Sequence, residues 1–162
     1  MKILFDKFEQ LKITTTTVKH KPVFNVVDAH RVFERYPAFG QCKNLFLKDD
    51  KKQLWLLVAI FDTQIQLKKL AKKIAAPELR FAKEQQLLKY LGVTPGSVTP
   101  FGLINDTDHE IKVILDARLF EHNTLGFHPL TNDATTMITP VDLQTFISSC
   151  GNSTQIIDFQ LI

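Results

Sequence analysis

The spacing of apolar positions changes several times along this chain, and each change marks an element. Ile3, Leu4, Phe8 and Leu11 recur at helical spacing and predict a short amphipathic helix over the first ten residues. Ile13-Thr-Thr-Thr-Thr-Val18 is β-branched throughout and predicts a strand. Asp28 stands where it can cap a helix from about Ala29 to Tyr36, stopped by Pro37. Two strand-like runs, 43–48 and 53–61, flank Asp49-Asp50-Lys51-Lys52 and predict a hairpin. Leu67, Leu70, Ala71 and Ile74 follow the i, i+3, i+4, i+7 pattern of a helix that Pro77 closes. Lys68, Lys69, Lys72 and Lys73 then fall on its outer side. A further helix, about Lys83 to Leu91, ends at Gly92. Strands are predicted near 98–104, 111–116, 124–128 and 134–139. Thr139-Pro140-Val141-Asp142 joins a cap residue, a proline at the first helical position and an acid, so a helix starts there and runs to about Cys150. A last strand spans Gln155 to Phe159. Helices and strands that do not alternate strictly predict an α+β domain over 1–162, with a mixed or antiparallel central sheet flanked by helices.

Composition narrows the class. A chain of 162 residues with 44% apolar and 23% charged positions can bury a sizeable core, which excludes wholesale disorder. The longest apolar run, Leu54 to Phe61, is far short of the ~20 residues needed to cross a bilayer. The amino end MKILFDKFEQLK lacks the features of a secretory signal. Two isolated cysteines, Cys42 and Cys150, form no disulfide framework, and a reduced, cytoplasmic protein is expected. The net charge of +3 is mild, but it is unevenly spread. Between Lys68 and Lys83 lie Lys68, Lys69, Lys72, Lys73, Arg80 and Lys83, against Glu78 alone. Charge by itself admits two readings of this stretch, a contact surface for nucleic acid or a solvated helix face.

Three segments carry candidate chemistry. Leu91 to Asn105 holds Gly92, Gly96 and Gly102 with Pro95 and Pro100, a stiff loop that brings backbone amides close to a ligand, or a plain connection. It matches neither a phosphate loop nor a dinucleotide fingerprint. Lys43 opens an apolar strand, either as an edge residue reaching solvent or as a cation held in a cleft to meet a phosphate or carboxylate. Regular alternation puts Lys43, Leu45 and Leu47 on one face, and Cys42, Asn44 and Phe46 on the other. Cys42 and Lys43 are therefore not a nucleophilic pair, and Cys42 reads as a small buried residue. His128, in Gly126-Phe127-His128-Pro129, has its direction set by the following proline and is either structural or a ligand contact. The run from Thr131 to Thr136 offers hydroxyls and amides that could orient a small ligand or satisfy a turn. The other histidines show no metal-binding spacing, and no serine or cysteine sits in a nucleophile-elbow sequence.

Together, Lys43-Asn-Leu-Phe-Leu47, Leu91-Gly-Val-x-Pro-Gly-Ser-Val-Thr-Pro100, Gly102-Leu-Ile-Asn105, Gly126-Phe-His-Pro129 and Thr131-Asn-x-Ala-Thr-Thr136 resemble the YbaK/prolyl-tRNA editing family, in matching order from about His20 to Gly151. The resemblance implies an aminoacyl-tRNA deacylase needing no metal and no cofactor. It also implies a free-standing member that acts in trans on aminoacylated proline tRNA, with a prolyl-tRNA synthetase or an elongation factor as further partners. The branch that removes alanine is the nearer likeness, and the branch that removes cysteine is the alternative. A non-catalytic module binding tRNA or the aminoacyl group is the alternative from another class. By motif, Lys43 would hold the backbone of the terminal adenosine, His128 would position substrate or water, and Gly96 would shape the catalytic site. Asn44, Ser97, Val98, Thr99, Pro100 and Gly126 would contact substrate, although alternation turns Asn44 away from Lys43. Lys68, Lys69, Lys72, Lys73 and Arg80 would meet the tRNA. Family members commonly carry threonine where Asn25 stands. Such a site suits the chemistry: the ester is activated by its neighbouring ribose hydroxyl and ammonium group, so an enzyme need only place water and stabilise the oxyanion. Alanine is smaller than proline and cannot be fully excluded from a proline pocket, so a second, smaller pocket supplies the missing discrimination.

Overall fold

The structure is a computed structural model that describes residues 1–23, 26–34 and 39–162. Its helices are α1 (Lys2–Gln10), α2 (Val26–Phe33), α3 (Leu67–Lys73), α4 (Glu84–Gln86) and α5 (Pro140–Ser149). Its strands are β1 (Thr16–Lys19), β2 (Gly40–Lys48), β3 (Leu54–Ile60), β4 (Arg80–Phe81), β5 (Ile111–Asp116), β6 (Leu125–Phe127), β7 (Ala134–Ile138) and β8 (Thr154–Ile157). The predicted stop of α2 at Tyr36-Pro37, and Asn25, lie outside the described residues.

The strands form one mixed sheet in the order β1-β7-β6-β2-β3-β5-β8, with β4 pairing the far end of the β2 edge that also meets β6. β2 and β3 make the predicted hairpin, in register from Cys42↔Ile60 to Lys48↔Leu54. Its turn is held by the buried Asp49, whose carboxylate accepts from the Lys51 and Gln53 amides and from the Trp55 indole. The pairs β3–β5, β5–β8 and β2–β6 are parallel, and the others are antiparallel.

Every residue of β3 is buried, because layers cover both faces of the sheet. On one face Phe46, Leu56 and Val58 pack with Leu4 and Phe8 of α1, Phe101, and Phe146 of α5. On the other, Leu47, Leu57, Ala59 and Ile114 pack with Leu70 and Ala71 of α3. The even and odd positions of β2 and β3 thus serve different cores.

Two predicted elements change form. The strand expected near 98–104 is a 3₁₀ helix over Pro100–Asn105, capped by the Thr99 hydroxyl, which accepts from the Phe101 amide at 3.3 Å. Thr99-Pro100 repeats the cap-then-proline start of α5 at Thr139-Pro140, and that local signal prevails over the apolar run. The helix expected from Lys83 to Leu91 is a single α-turn that widens into a π-helical turn over Leu87–Leu91, closed by left-handed Gly92. The two-residue strand β4 was not foreseen.

Candidate active site

The site lies along a gap in the edge of β2. Toward β3 the strand is paired without a break, but its other edge meets β6 only at Gly40 and Gln41, and β4 only at Leu47 and Lys48. Between them the edge is unpaired with any strand among the described residues, and the glycine–proline loop comes over it instead. The Asn44 amide donates to the Val98 carbonyl at 3.0 Å. A cavity of about 290 Å³ opens there, bounded by Lys43, Asn44, Gly96, Val98, Gly126 and His128, with Val23, Phe33, Phe61 and Phe127 among its apolar walls.

Alternation holds: Asn44 points to the loop side and Lys43 to the α3 side. Both still bound the cavity, because it sits against the strand edge rather than on either face. The Lys43 ammonium donates to the Thr63 carbonyl at 2.5 Å. Thr63 is itself fixed, since its hydroxyl donates to the fully buried Asp116 carboxylate at 2.5 Å and accepts from Arg118 at 2.9 Å. Asp116 also accepts from the Ile60 and Arg118 amides, and Arg118 pairs with Asp62 at 2.8 Å. Burial lowers the Lys43 pKa below its ordinary value, while the charges of Asp116 and Asp62 oppose that shift. This cluster occupies the carboxyl ends of the parallel strands β3 and β5, where open α/β sheets commonly place their ligands.

His128 is held by its Nδ1, which donates to the Ala134 carbonyl at 3.0 Å. A carbonyl only accepts, so the proton sits on Nδ1 and the neutral ring presents Nε2 as an acceptor. Burial is the main cause that pulls its pKa below the ordinary value of 6.5, and the neighbouring His20 ring, 6.2 Å between centroids, acts in the same direction. Cys42 reaches the cavity wall, but burial raises its thiol pKa far above its ordinary value and the group donates to the Gly40 carbonyl. It is a thiol and not a thiolate, and where the sequence predicts a small buried residue the structure places it partly buried in the cavity wall.

Gly96 and Gly126 shape the cavity differently. Gly96 takes φ +88°, which admits the loop's turn over the β2 edge. At Gly126 a Cβ would lie 2.5 Å from the Phe39 ring, so only glycine fits that wall.

The structure therefore brings Lys43, Asn44, Gly96, Val98, Gly126 and His128 together. It does not bring Ser97, Thr99 or Pro100 to the cavity: all three are buried behind it, where Thr99 and Pro100 start the 3₁₀ helix. Lys68, Lys69, Lys72 and Lys73 are exposed on α3, away from the cavity lining, and Arg80 is exposed and paired with Asp50. The Thr63–Asp116–Arg118 cluster was missed from the sequence. Its only local signal is an acid closing the apolar run Val113–Leu115.

Chemically, the site offers one anchored cation, one imidazole acceptor, glycine backbone and an apolar recess. Asn44 Oδ1 is buried and accepts no hydrogen bond from the described residues, which leaves it for a ligand donor. No group of three or more histidine, cysteine or acidic residues able to hold a metal occurs among the described residues.

The recess thus joins a lysine, a histidine and a glycine–proline loop, and the thiol in its wall, Cys42, is held protonated by burial. Residues 20–146 match the aminoacyl-tRNA editing domain, and the chain belongs to that family of aminoacyl-tRNA deacylases. It is 37% identical over 153 residues to the prolyl-tRNA editing protein ProX of Acetoanaerobium sticklandii, covering 94% of this chain and 93% of that one. It is 37% identical to prolyl-tRNA synthetase associated domain-containing protein 1 of Bos taurus, covering 96% and 93%. A crystal structure described as a candidate trans-editing enzyme for prolyl-tRNA synthetase shares the fold, with TM-score 0.70 at 20% identity over 89% of this chain and 85% of that one.

Proposed function

We propose that this protein hydrolyses, in trans, the ester bond of mischarged proline tRNA in the cytoplasm, and that alanine is the amino acid it removes. The cavity that joins Lys43, Asn44 and His128 beneath the Gly96 loop carries this reading, and the names of the relatives support proline tRNA. Lys43 meets the terminal nucleotide, its ammonium held by the Thr63 carbonyl with its other N–H groups left to donate. Asn44 Oδ1 accepts from the substrate's ammonium, and His128 Nε2 orients the attacking water. Backbone amides of the Gly96 loop face the developing oxyanion. The apolar walls take the acyl side chain, and discrimination against the larger proline ring is what this reading requires of them.

A panel of Ala, Cys, Ser and Pro on proline tRNA, with alanine on its own tRNA, tests the reading. Alanine on proline tRNA should be released fastest and proline should survive. Faster release of cysteine would move the assignment to the cysteine branch. Retention of tRNA on a filter with every ester intact would make the protein a binding module. Lys43→Ala should slow release at least tenfold while thermal unfolding hardly moves, and equal loss of folding would make the lysine structural.

A further inference from the structure

We infer that Phe81 is a stacking platform for a base close to the 3′ end of the bound tRNA, on the path into the cavity. The inference rests on the deacylase reading and adds a contact outside the catalytic recess.

Phe81 sits on the short edge strand β4 and is 62% exposed. Its backbone is fixed: β4 pairs with β2 in the register Leu47↔Phe81 and Lys48↔Arg80, and the Ala82 amide donates to the Phe46 carbonyl at 2.9 Å. Residues directly paired across strands project to the same side of a sheet, so Phe81 shares the face of Leu47, Leu45 and Lys43. Lys43 lies four residues from Leu47, about 13 Å along the strand at ~3.3 Å per residue, a span that a short stretch of extended ribonucleotide covers. Helix α3 packs on the same face, through Leu70 and Ala71 in the core that includes Leu47, and leaves Lys68, Lys69, Lys72 and Lys73 exposed. An exposed ring, a cationic helix and the entrance lysine therefore lie on one side of the sheet.

The surroundings of the ring favour a base over a protein partner. Arg80 and Lys83 flank Phe81-Ala82 and are exposed, and Ala82 is half-buried, so cations stand beside the ring in the chain. Protein interfaces are depleted of charge at their centres, whereas single-stranded nucleic acid is held by cations on its phosphates and rings beneath its bases. Asp50 already pairs with Arg80, which leaves Lys83 and the α3 lysines as the cations for the phosphates.

The full-length chain carrying Phe81→Ala tests this with two substrates and one oligonucleotide. On alanyl-tRNA for proline, kcat/KM should fall roughly tenfold, mainly through KM, and Phe81→Trp should restore it. On 3′-alanyl-adenosine, which lacks the preceding bases, the variant should match the parent. Binding of the ribonucleotide ACCA, read by fluorescence anisotropy, should weaken roughly tenfold even if no ester is hydrolysed, so failure of the deacylase reading would be told apart from failure of this one. Unchanged ACCA binding, or equal loss on alanyl-adenosine, would overturn the role of Phe81.

Discussion

Lys43 shows how a residue's setting decides its chemistry. A lysine at the mouth of an apolar cavity is mobile unless something orients it, and the Thr63 carbonyl does so. That carbonyl is in turn set by the fully buried Asp116, which accepts from the Thr63 hydroxyl and from the Ile60 and Arg118 amides. Asp116→Asn removes acceptor capacity where these three groups donate, so it should cost about 1–3 kcal/mol in a denaturant melt. It should also lower kcat about tenfold with tRNA affinity nearly kept; an unchanged kcat would detach Asp116 from Lys43. His128 carries a pH prediction. Its folded pKa lies below the ordinary 6.5, so as pH falls the unfolded chain takes up the proton first and the histidine's contribution to stability declines below 6.5. With the neutral ring orienting water as proposed, the acid limb of kcat should have its midpoint below pH 6.5. A midpoint about one pH unit above that value would argue against the role. Lys43 and His128 stand out in the sequence as candidates, because short motifs surround them, and the structure brings both to one cavity. Thr63 and Asp116, far apart in the chain, do not stand out, because only the β3–β5 pairing brings them together.

Among the elements, those with a local start or stop signal formed where expected. Thr139 caps α5, and Gly92 ends the turn before the loop. The 3₁₀ helix at Pro100–Asn105 departed from its predicted strand because Thr99-Pro100 is itself such a signal, and its consequence reaches the site. By burying Ser97, Thr99 and Pro100, it leaves Gly96 and Val98 as the loop's cavity residues. Helix α3 has the predicted division, with Leu70 and Ala71 inward and its lysines outward. Reversing two of Lys68, Lys69, Lys72 and Lys73 to Glu should weaken tRNA binding and reduce the slope of log affinity against log salt, by about 0.9 for each duplex phosphate no longer neutralised. An unaltered slope would make the helix face solvated surface only.

Across the whole molecule, the cavity is a product of topology. It needs β2 to leave β6 after Gln41 and to meet β4 only at Leu47 and Lys48, so that a stretch of strand edge is free for the loop and the substrate. It also needs β6 and β7 to present His128 opposite that gap. The sequence by itself determined the hairpin, the amphipathic division of α3, the capped start of α5 and the family, because each is written in residues near one another in the chain. The tertiary structure alone decided that Lys43 and Asn44, on opposite faces of one strand, serve one cavity, and that Asp116 anchors the lysine. Those outcomes depend on which strand edges go unpaired and which strand ends lie side by side, and such pairings join residues too far apart in the chain for local spacing to reveal.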